Sequence, residues 1–83
     1  MEYSEFLDTI NSIISSLEGK SLREDSRIVD SRIDSLSYYY FWLALEEKYP
    51  VLDKKTVLSL NYVTLTVYEL FCLVSKRMSD GNY

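Results

Sequence analysis

Apolar residues at the start of the chain follow the spacing of an amphipathic helix. Gaps of three and four residues separate them, and polar side chains occupy the opposite face; the apolar positions are Tyr3, Phe6, Leu7, Ile10, Ile13, Ile14 and Leu17. Gly19 follows the last of these residues and is a natural stop for a helix. The pattern predicts a first helix that ends near Gly19 and packs one face on a core.

Residues 20–34 are mostly polar and charged, with four apolar positions among them: Leu22, Ile28, Val29 and Ile33. A loop of this length in a small domain is usually functional or disordered. Apolar side chains that hold it to the core favour a functional loop. Its acidic residues are expected to pair with its arginines, and Arg32 is a candidate partner for Asp30.

A second helix is predicted from about Ser35 to Tyr49, where Pro50 stops it. At 100° per residue, one face of it holds Tyr38, Phe41, Trp42, Leu45 and Tyr49, and this face should pack on the first helix. We call the set on the opposite face the docking stripe: Leu36, Tyr40, Leu43 and Glu47. Three of these four are apolar or aromatic on a face that should meet solvent, which indicates a binding surface.

The rest of the chain predicts a short helix and a final longer one. Asp53 suits the N-cap of the short helix, and Val57, Leu58, Leu60 and Tyr62 are expected to point inward. Residues 62–67 also have strand character, but a lone strand would have no partner. Thr66 and Glu69 fit a capping box for the last helix. Its inner stripe is predicted to contain Val67, Leu70, Phe71, Val74 and Met78.

Composition supports one small helical domain. The chain has 83 residues, 47% of them apolar, with two glycines and one proline. We predict an all-α domain over residues 1–78, with three main helices and a short one, followed by a flexible tail at 79–83. Its core is expected to contain Ile10, Ile14, Phe41, Leu45, Leu70 and Val74.

The composition and the net charge of the chain disfavour several function classes. The single cysteine, Cys72, permits no internal disulfide and is expected to be a buried, inert thiol. No apolar run predicts a membrane span or a signal peptide, so a cytoplasmic protein is expected. The net charge of −4 disfavours nucleic acid and favours partners with basic patches. Without histidine the chain has no imidazole base or metal ligand, and we do not expect an enzyme.

Candidate chemistry lies at the start of the second helix, in Asp34-Ser35-Leu36. A serine hydroxyl at this junction lies at a helix N-terminus, beside backbone N–H groups that lack partners. That position suits a side chain that will carry a phosphate.

Three segments in order resemble the acyl carrier proteins over essentially the whole chain. The first is Ile33-Asp34-Ser35-Leu36, which matches the attachment motif of that family. The second is Ala44-Leu45-Glu46-Glu47 with Tyr49, and the third combines Thr66-Val67, Glu69-Leu70 and Leu73-Val74. The resemblance implies an acyl-carrier-like bundle. It also implies that Ser35, flanked by Asp34 and Leu36, bears 4′-phosphopantetheine from coenzyme A, which makes the carrier a phosphoprotein.

The resemblance also implies partners. A phosphopantetheinyl transferase would attach the arm, and a loading enzyme would place an acyl or aminoacyl group on it as a thioester. A downstream acyltransferase or synthase of fatty acid, polyketide or aminoacyl biosynthesis would take the cargo. Docking would use Leu36, Tyr40, Leu43 and Glu47, and the carrier is expected to be a monomer.

Three departures from the family pattern and one alternative shape the hypothesis. Ser31-Arg32 stand where the family usually has Leu-Gly, which makes Arg32 a candidate contact for the phosphate of the arm. Ser37 and Tyr40 stand where typical carriers have acidic residues, so the docking face is more aromatic. Trp42 and the tyrosines of the core face leave less room, which favours a short, small or aminoacyl cargo. Alternatively, the chain is a small helical interaction module. That module would bind its partner through the exposed stripe of Leu36, Tyr40 and Leu43, and Ser35 would be unmodified and only cap a helix. Leu36 and Leu43 are also candidates for contact with a second copy of the chain.

Overall fold

Four α-helices make up most of the computed structural model, which describes residues 2–79. They are α1 (Tyr3–Ser16), α2 (Ser35–Lys48), α3 (Lys54–Leu58) and α4 (Val67–Ser79), with a 3₁₀ helix at Ile28–Ser31. This part of the chain contains no β-strand, only an isolated bridge between Arg27 and Thr66. The predicted all-α class, with three longer helices and a short one, is therefore confirmed. Within residues 2–79, every helix is too short or too polar to span a lipid bilayer.

The core lies where α1 contacts both α2 and α4. All six residues predicted for it are completely buried: Ile10, Ile14, Phe41, Leu45, Leu70 and Val74. Phe6 of α1 is also completely buried, and its ring lies 5.6 Å from that of Phe71 in α4. Tyr38, Trp42 and Tyr49 of α2 pack partly buried against this core, as their shared helical face predicts.

The end of α1 differs in one detail from the prediction. Glu18, not Gly19, adopts the left-handed conformation, with φ of 60°. The N–H of Gly19 donates to the carbonyl of Ile14 at 2.8 Å, and that of Glu18 to Ser15 at 3.1 Å, which is a Schellman motif. Gly19 is needed for space instead, because a Cβ there would lie 2.5 Å from Cγ2 of Ile33. The helix end therefore packs directly on the segment that leads into α2.

The first connection is more ordered than the loop that we predict, because it contains the 3₁₀ helix. Leu22, Ile28 and Ile33 are buried, as expected of the pinning residues, and Val29 is half-buried. The Asn11 side chain of α1 holds this segment from both sides: its amide donates to the Leu22 carbonyl at 2.9 Å, and its oxygen accepts from the Leu22 N–H at 2.7 Å.

The expected ion pairs of this connection are largely absent. Within residues 2–79, the one ion pair joins Arg27 and Asp30 at 3.5 Å. Asp30 also accepts the backbone N–H of Arg27 at 2.9 Å. Its carboxylate is thus oriented toward Arg27 from within the 3₁₀ turn, and the expected pair between Asp30 and Arg32 is not formed.

The short helix α3 begins as predicted, but the side that it buries is not the predicted one. Asp53 caps it by accepting the Thr56 N–H at 2.8 Å. Thr56 takes the buried position and accepts a hydrogen bond from Arg77 of α4 at 3.3 Å. Val57 and Leu60 are half-buried, but Leu58 and Tyr62 are exposed, so the prediction that they point inward is wrong. A helix of one turn and a half buries only one side.

In α4 the predicted capping box is present. The Thr66 N–H donates to Glu69 at 3.0 Å, and the Glu69 N–H donates to the Thr66 hydroxyl at 3.1 Å. Val67, Leu70 and Val74 are buried and Phe71 is half-buried, whereas Met78 is exposed in the last turn, beyond the core.

Two further expectations about α4 need correction. Cys72 is exposed, because it lies 200° around the helix from both Leu70 and Val74, which are buried. The helix includes Ser79, one residue beyond the predicted domain boundary. The other residues of the predicted tail, 80–83, lie outside the described part of the chain.

Candidate functional site at the start of α2

Ser35 is the first residue of α2 and is exposed, but it does not cap the helix. Asp34 does so: its carboxylate accepts the Ser37 N–H at 2.8 Å, and its carbonyl accepts the Tyr38 N–H at 2.9 Å. The Ser35 hydroxyl forms no hydrogen bond with any other residue between positions 2 and 79. Capping therefore does not occupy this hydroxyl, in contrast to the alternative in which Ser35 is only a cap.

The charged form of the Asp34 carboxylate is favoured by its hydrogen bonds. Hydrogen bonds from the backbone N–H of Ser37, and then from its side chain, lower the pKa of Asp34 below its ordinary value of 3.8. The negative charge of Asp34 interacts favourably with the positive end of the helix dipole at the start of α2. The expectation that partnerless N–H groups surround the Ser35 hydroxyl is thus only partly met, because the Ser37 N–H is taken.

A cleft of about 620 Å³ adjoins Ser35. It lies between the start of α2 and the segment that contains α3, and most of its lining is apolar or aromatic: Ile33, Asp34, Ser35, Tyr38, Tyr39, Trp42, Val57, Leu58, Leu60 and Tyr62. This volume is within the range of binding sites for small molecules. The aromatic side chains of α2 form part of this lining, and the expectation of a short, small or aminoacyl cargo stays a prediction.

The cleft continues along α2 into a second cavity of about 280 Å³. The two share Tyr39, Trp42, Val57 and Leu58, and the second also reaches Leu43, Glu46, Leu52 and Lys54. We call the two together the α2–α3 groove. It begins beside Ser35 and ends at two side chains of opposite charge, Glu46 and Lys54.

Tyr38 is the one lining residue with a buried polar atom that lacks a partner in residues 2–79. Burial is the main cause that raises its pKa above 10.0, and the charge of Asp30 adds to the effect. The nearby Ser31 hydroxyl acts in the opposite direction and lowers the pKa of Tyr38. This hydroxyl donates its own hydrogen bond to the Ile28 carbonyl at 2.8 Å. The phenol therefore stays neutral near pH 7 and is not a base for chemistry at Ser35.

The docking stripe lies on the surface, as its spacing predicts. Leu36 is 63% exposed, Tyr40 51% and Leu43 44%, and Glu47 is also exposed. Tyr39, with 60% of its surface exposed, belongs to the same side of α2, although we do not predict it. The sequence contains the signal, since Tyr39 is three residues after Leu36 and four before Leu43.

No group of three or more histidine, cysteine, aspartate or glutamate side chains within residues 2–79 is arranged to hold a metal ion. Comparison of the chain with protein-family models, with curated proteins and with solved structures finds no match.

Proposed function

We propose that this chain is a carrier that holds an acyl or aminoacyl group on 4′-phosphopantetheine attached to Ser35. The observation that supports this most directly is an exposed serine hydroxyl, unused in capping, beside an apolar groove. The attached arm would supply a terminal thiol that holds the cargo as a thioester. The resemblance of Asp34-Ser35-Leu36 and the later segments to acyl carrier proteins agrees with this geometry.

The residues around Ser35 suit a passive carrier. Asp34 holds the first turn of α2 in place, so that the hydroxyl of the next residue is presented to an enzyme. With its lowered pKa, Asp34 is a poor base, and the chain contains no histidine. Attachment of the arm therefore depends on a separate phosphopantetheinyl transferase, and the chain itself is not an enzyme under this proposal.

The α2–α3 groove would shield the arm or its cargo from water. Val57, Leu58 and Leu60 form one side of the space beside Ser35, and aromatic rings of α2 form the other. Burial of apolar surface stabilises such contacts by about 25 cal/mol per Å².

Partner enzymes would dock on α2. Leu36, Tyr40, Leu43 and Glu47 are all accessible beside Ser35 or farther along the same helix, and Tyr39 extends this surface. The partners are the transferase, an acyl- or aminoacyl-loading enzyme, and a downstream acyltransferase or synthase. A surface of this apolar and aromatic character favours enzymes with a complementary apolar patch over purely basic ones.

A second candidate function, an unmodified interaction module, is favoured by one observation. Exposed apolar side chains are concentrated on α2 and on residues 58–63, including Leu36, Leu58 and Val63. Contiguous apolar surface on a small protein marks an interaction site. Under this alternative the surface binds a protein continuously, and Ser35 carries nothing.

Attachment in vitro separates the two functions. Purified chain is incubated with coenzyme A and a phosphopantetheinyl transferase of broad specificity, and intact mass is measured for wild type, Ser35→Ala and Ser37→Ala. We expect one phosphopantetheinyl unit on wild type and on Ser37→Ala, which is the matched serine in the same turn, and none on Ser35→Ala. Addition to Ser35→Ala, or to none of the three, contradicts the proposal.

A further inference from the structure

A separate cavity of about 400 Å³ lies where the start of α1, the first connection and the start of α4 meet. Five residues line it: Tyr3, Glu24, Asp25, Thr66 and Tyr68. None of them lines the α2–α3 groove. We call this cavity the tyrosine cage. It is separate from the space beside Ser35.

Two aromatic rings form its walls. The centroids of Tyr3 and Tyr68 are 5.5 Å apart, and their planes are nearly perpendicular, at 78°. Phe71 supports both rings, with centroid distances of 4.9 Å to Tyr3 and 6.3 Å to Tyr68. The Tyr3 hydroxyl donates to the Glu24 carbonyl at 2.9 Å, which ties the first wall to the acidic segment. The cage is therefore organised before any ligand binds.

The charge of the cage is negative. Glu24 and Asp25 contribute two carboxylates to its lining, and no lysine or arginine contributes to it. Neither carboxylate forms an ion pair with another residue of the range 2–79. The pKa of Tyr3 is raised, first by burial and then by the charges of Glu24 and Asp25, so their negative field reaches the ring.

We propose that the tyrosine cage binds an organic cation, namely an alkylated ammonium or a guanidinium group. The face of an aromatic ring attracts such a cation because of its quadrupole. Two perpendicular phenol rings beside two carboxylates combine this attraction with direct charge neutralisation. A small metal ion is a less suitable ligand, since residues 2–79 offer no cluster of three or more acidic, histidine or cysteine ligands.

An organic cation of this kind can come from two sources. One is a free small molecule such as a quaternary amine, and the other is a basic side chain of a partner protein. The net charge of −4 of this chain favours either one. Because Tyr68, Glu24 and Asp25 are exposed, a head group reaches the cage without any opening of the core.

Binding is measured by two-dimensional NMR titration of the isotope-labelled chain with choline. A matched titration uses 3,3-dimethyl-1-butanol, which has the same shape without the charge, at constant ionic strength. We expect saturable shifts around Tyr3 and Tyr68 with choline, and affinity at least about fivefold higher than for the neutral alcohol. Equal shifts with both probes, or no saturable shift with choline, overturn the proposal.

Variants test the roles of the rings and the carboxylates. Tyr68→Phe keeps an aromatic face and should retain choline binding, whereas Tyr68→Leu and the double variant Glu24→Gln/Asp25→Asn should weaken it severalfold. Glu5→Gln, which removes an exposed carboxylate of α1 outside the cage, is the control. Unchanged affinity in Tyr68→Leu and in the double variant contradicts the assigned site. A peptide with trimethyllysine that binds more tightly than choline identifies a protein as the source, and weaker binding identifies a small molecule.

Discussion

At the scale of single residues, Gly19 and Asp34 together determine where Ser35 lies. The Cβ that Gly19 lacks would meet Cγ2 of Ile33 at 2.5 Å and Cγ2 of Ile14 at 2.7 Å. Ile33 lines the cleft beside Ser35, so the close approach at Gly19 connects the end of α1 to the candidate site. Asp34 then caps α2, which begins at the next residue, Ser35.

Gly19→Ala should destabilise the fold by about 1–3 kcal/mol, because the added methyl group overpacks two buried isoleucines. The free energy of unfolding in urea measures this effect. Ser15→Ala, at an exposed position of α1, is the control and should change it by less than about 0.5 kcal/mol. Equal stability of Gly19→Ala and wild type would show that Ile33 does not pack on the end of α1.

The Asp34 cap predicts an acid-sensitive contribution to stability. Its folded pKa lies below the ordinary value of 3.8, so the charged form is favoured by folding. The contribution is present above the unfolded pKa and is lost as pH falls through the folded pKa. Asp34→Asn keeps an acceptor but removes the charge. We expect it to lower stability at neutral pH and to flatten the loss of stability on acidification below about pH 4.

Chemical denaturation of wild type and Asp34→Asn at a series of pH values checks this prediction. If the free energies of unfolding of the two proteins decrease in parallel down to the lowest pH measured, the carboxylate charge of Asp34 does not contribute to the cap.

At the scale of elements, α2 has a buried side and an exposed side, and two adjacent residues can lie on different sides. Phe41 is completely buried, whereas the preceding residue, Tyr40, is 51% exposed. The buried side attaches α2 to the core, and the exposed side provides the docking stripe. Substitutions on the exposed side of α2 should therefore leave the core packing of the helix unchanged.

Tyr40→Ala should keep the fold and reduce the rate at which a dedicated partner enzyme transfers cargo to or from the chain. Truncation of a central aromatic contact at an interface costs about 1 kcal/mol or more, which is roughly a fivefold change. Phe41→Ala, the adjacent buried residue, should instead destabilise the fold by about 3–5 kcal/mol. Circular dichroism and transfer kinetics measure the two effects. Unchanged transfer by Tyr40→Ala would reject a docking role for this residue.

Helical periodicity predicts the elements well where a helix has a complete apolar stripe. The six core residues on α1, α2 and α4 are correct, and so is the Thr66 capping box. It fails where an element is short or ends, as at Leu58 in the one-and-a-half turns of α3 and at Met78 in the last turn of α4. Periodicity indicates which residues share a face, but not how far a neighbouring helix covers that face.

The candidate site could be predicted in part. Asp34-Ser35-Leu36 indicates the start of α2 and the exposed Ser35, but the distinction between N-cap and first helical residue is a matter of backbone geometry. The α2–α3 groove could not be predicted, because it depends on the side of α2 on which α3 packs. The tyrosine cage joins Tyr3, Glu24 and Tyr68, which are far apart in sequence and carry no shared motif.

At the scale of the whole molecule, one helical core supports two separate surfaces. The α2–α3 groove begins beside Ser35, and the tyrosine cage lies between the starts of α1 and α4. Because they share no lining residue, changes at one should affect the other little. Under our proposals, the first surface holds a covalent cargo and the second recognises a cation.

The central claim is that Ser35 carries the arm in the cells that make this protein. Trypsin cuts after Arg32 and Lys48 and releases residues 33–48, which contain both Ser35 and Ser37. Fragmentation of this peptide by mass spectrometry, on protein isolated from those cells, assigns any phosphopantetheine to one serine. Our account predicts the arm on Ser35 and an unmodified Ser37. A peptide that is entirely unmodified, or that carries the arm on Ser37, would contradict it and favour the interaction module.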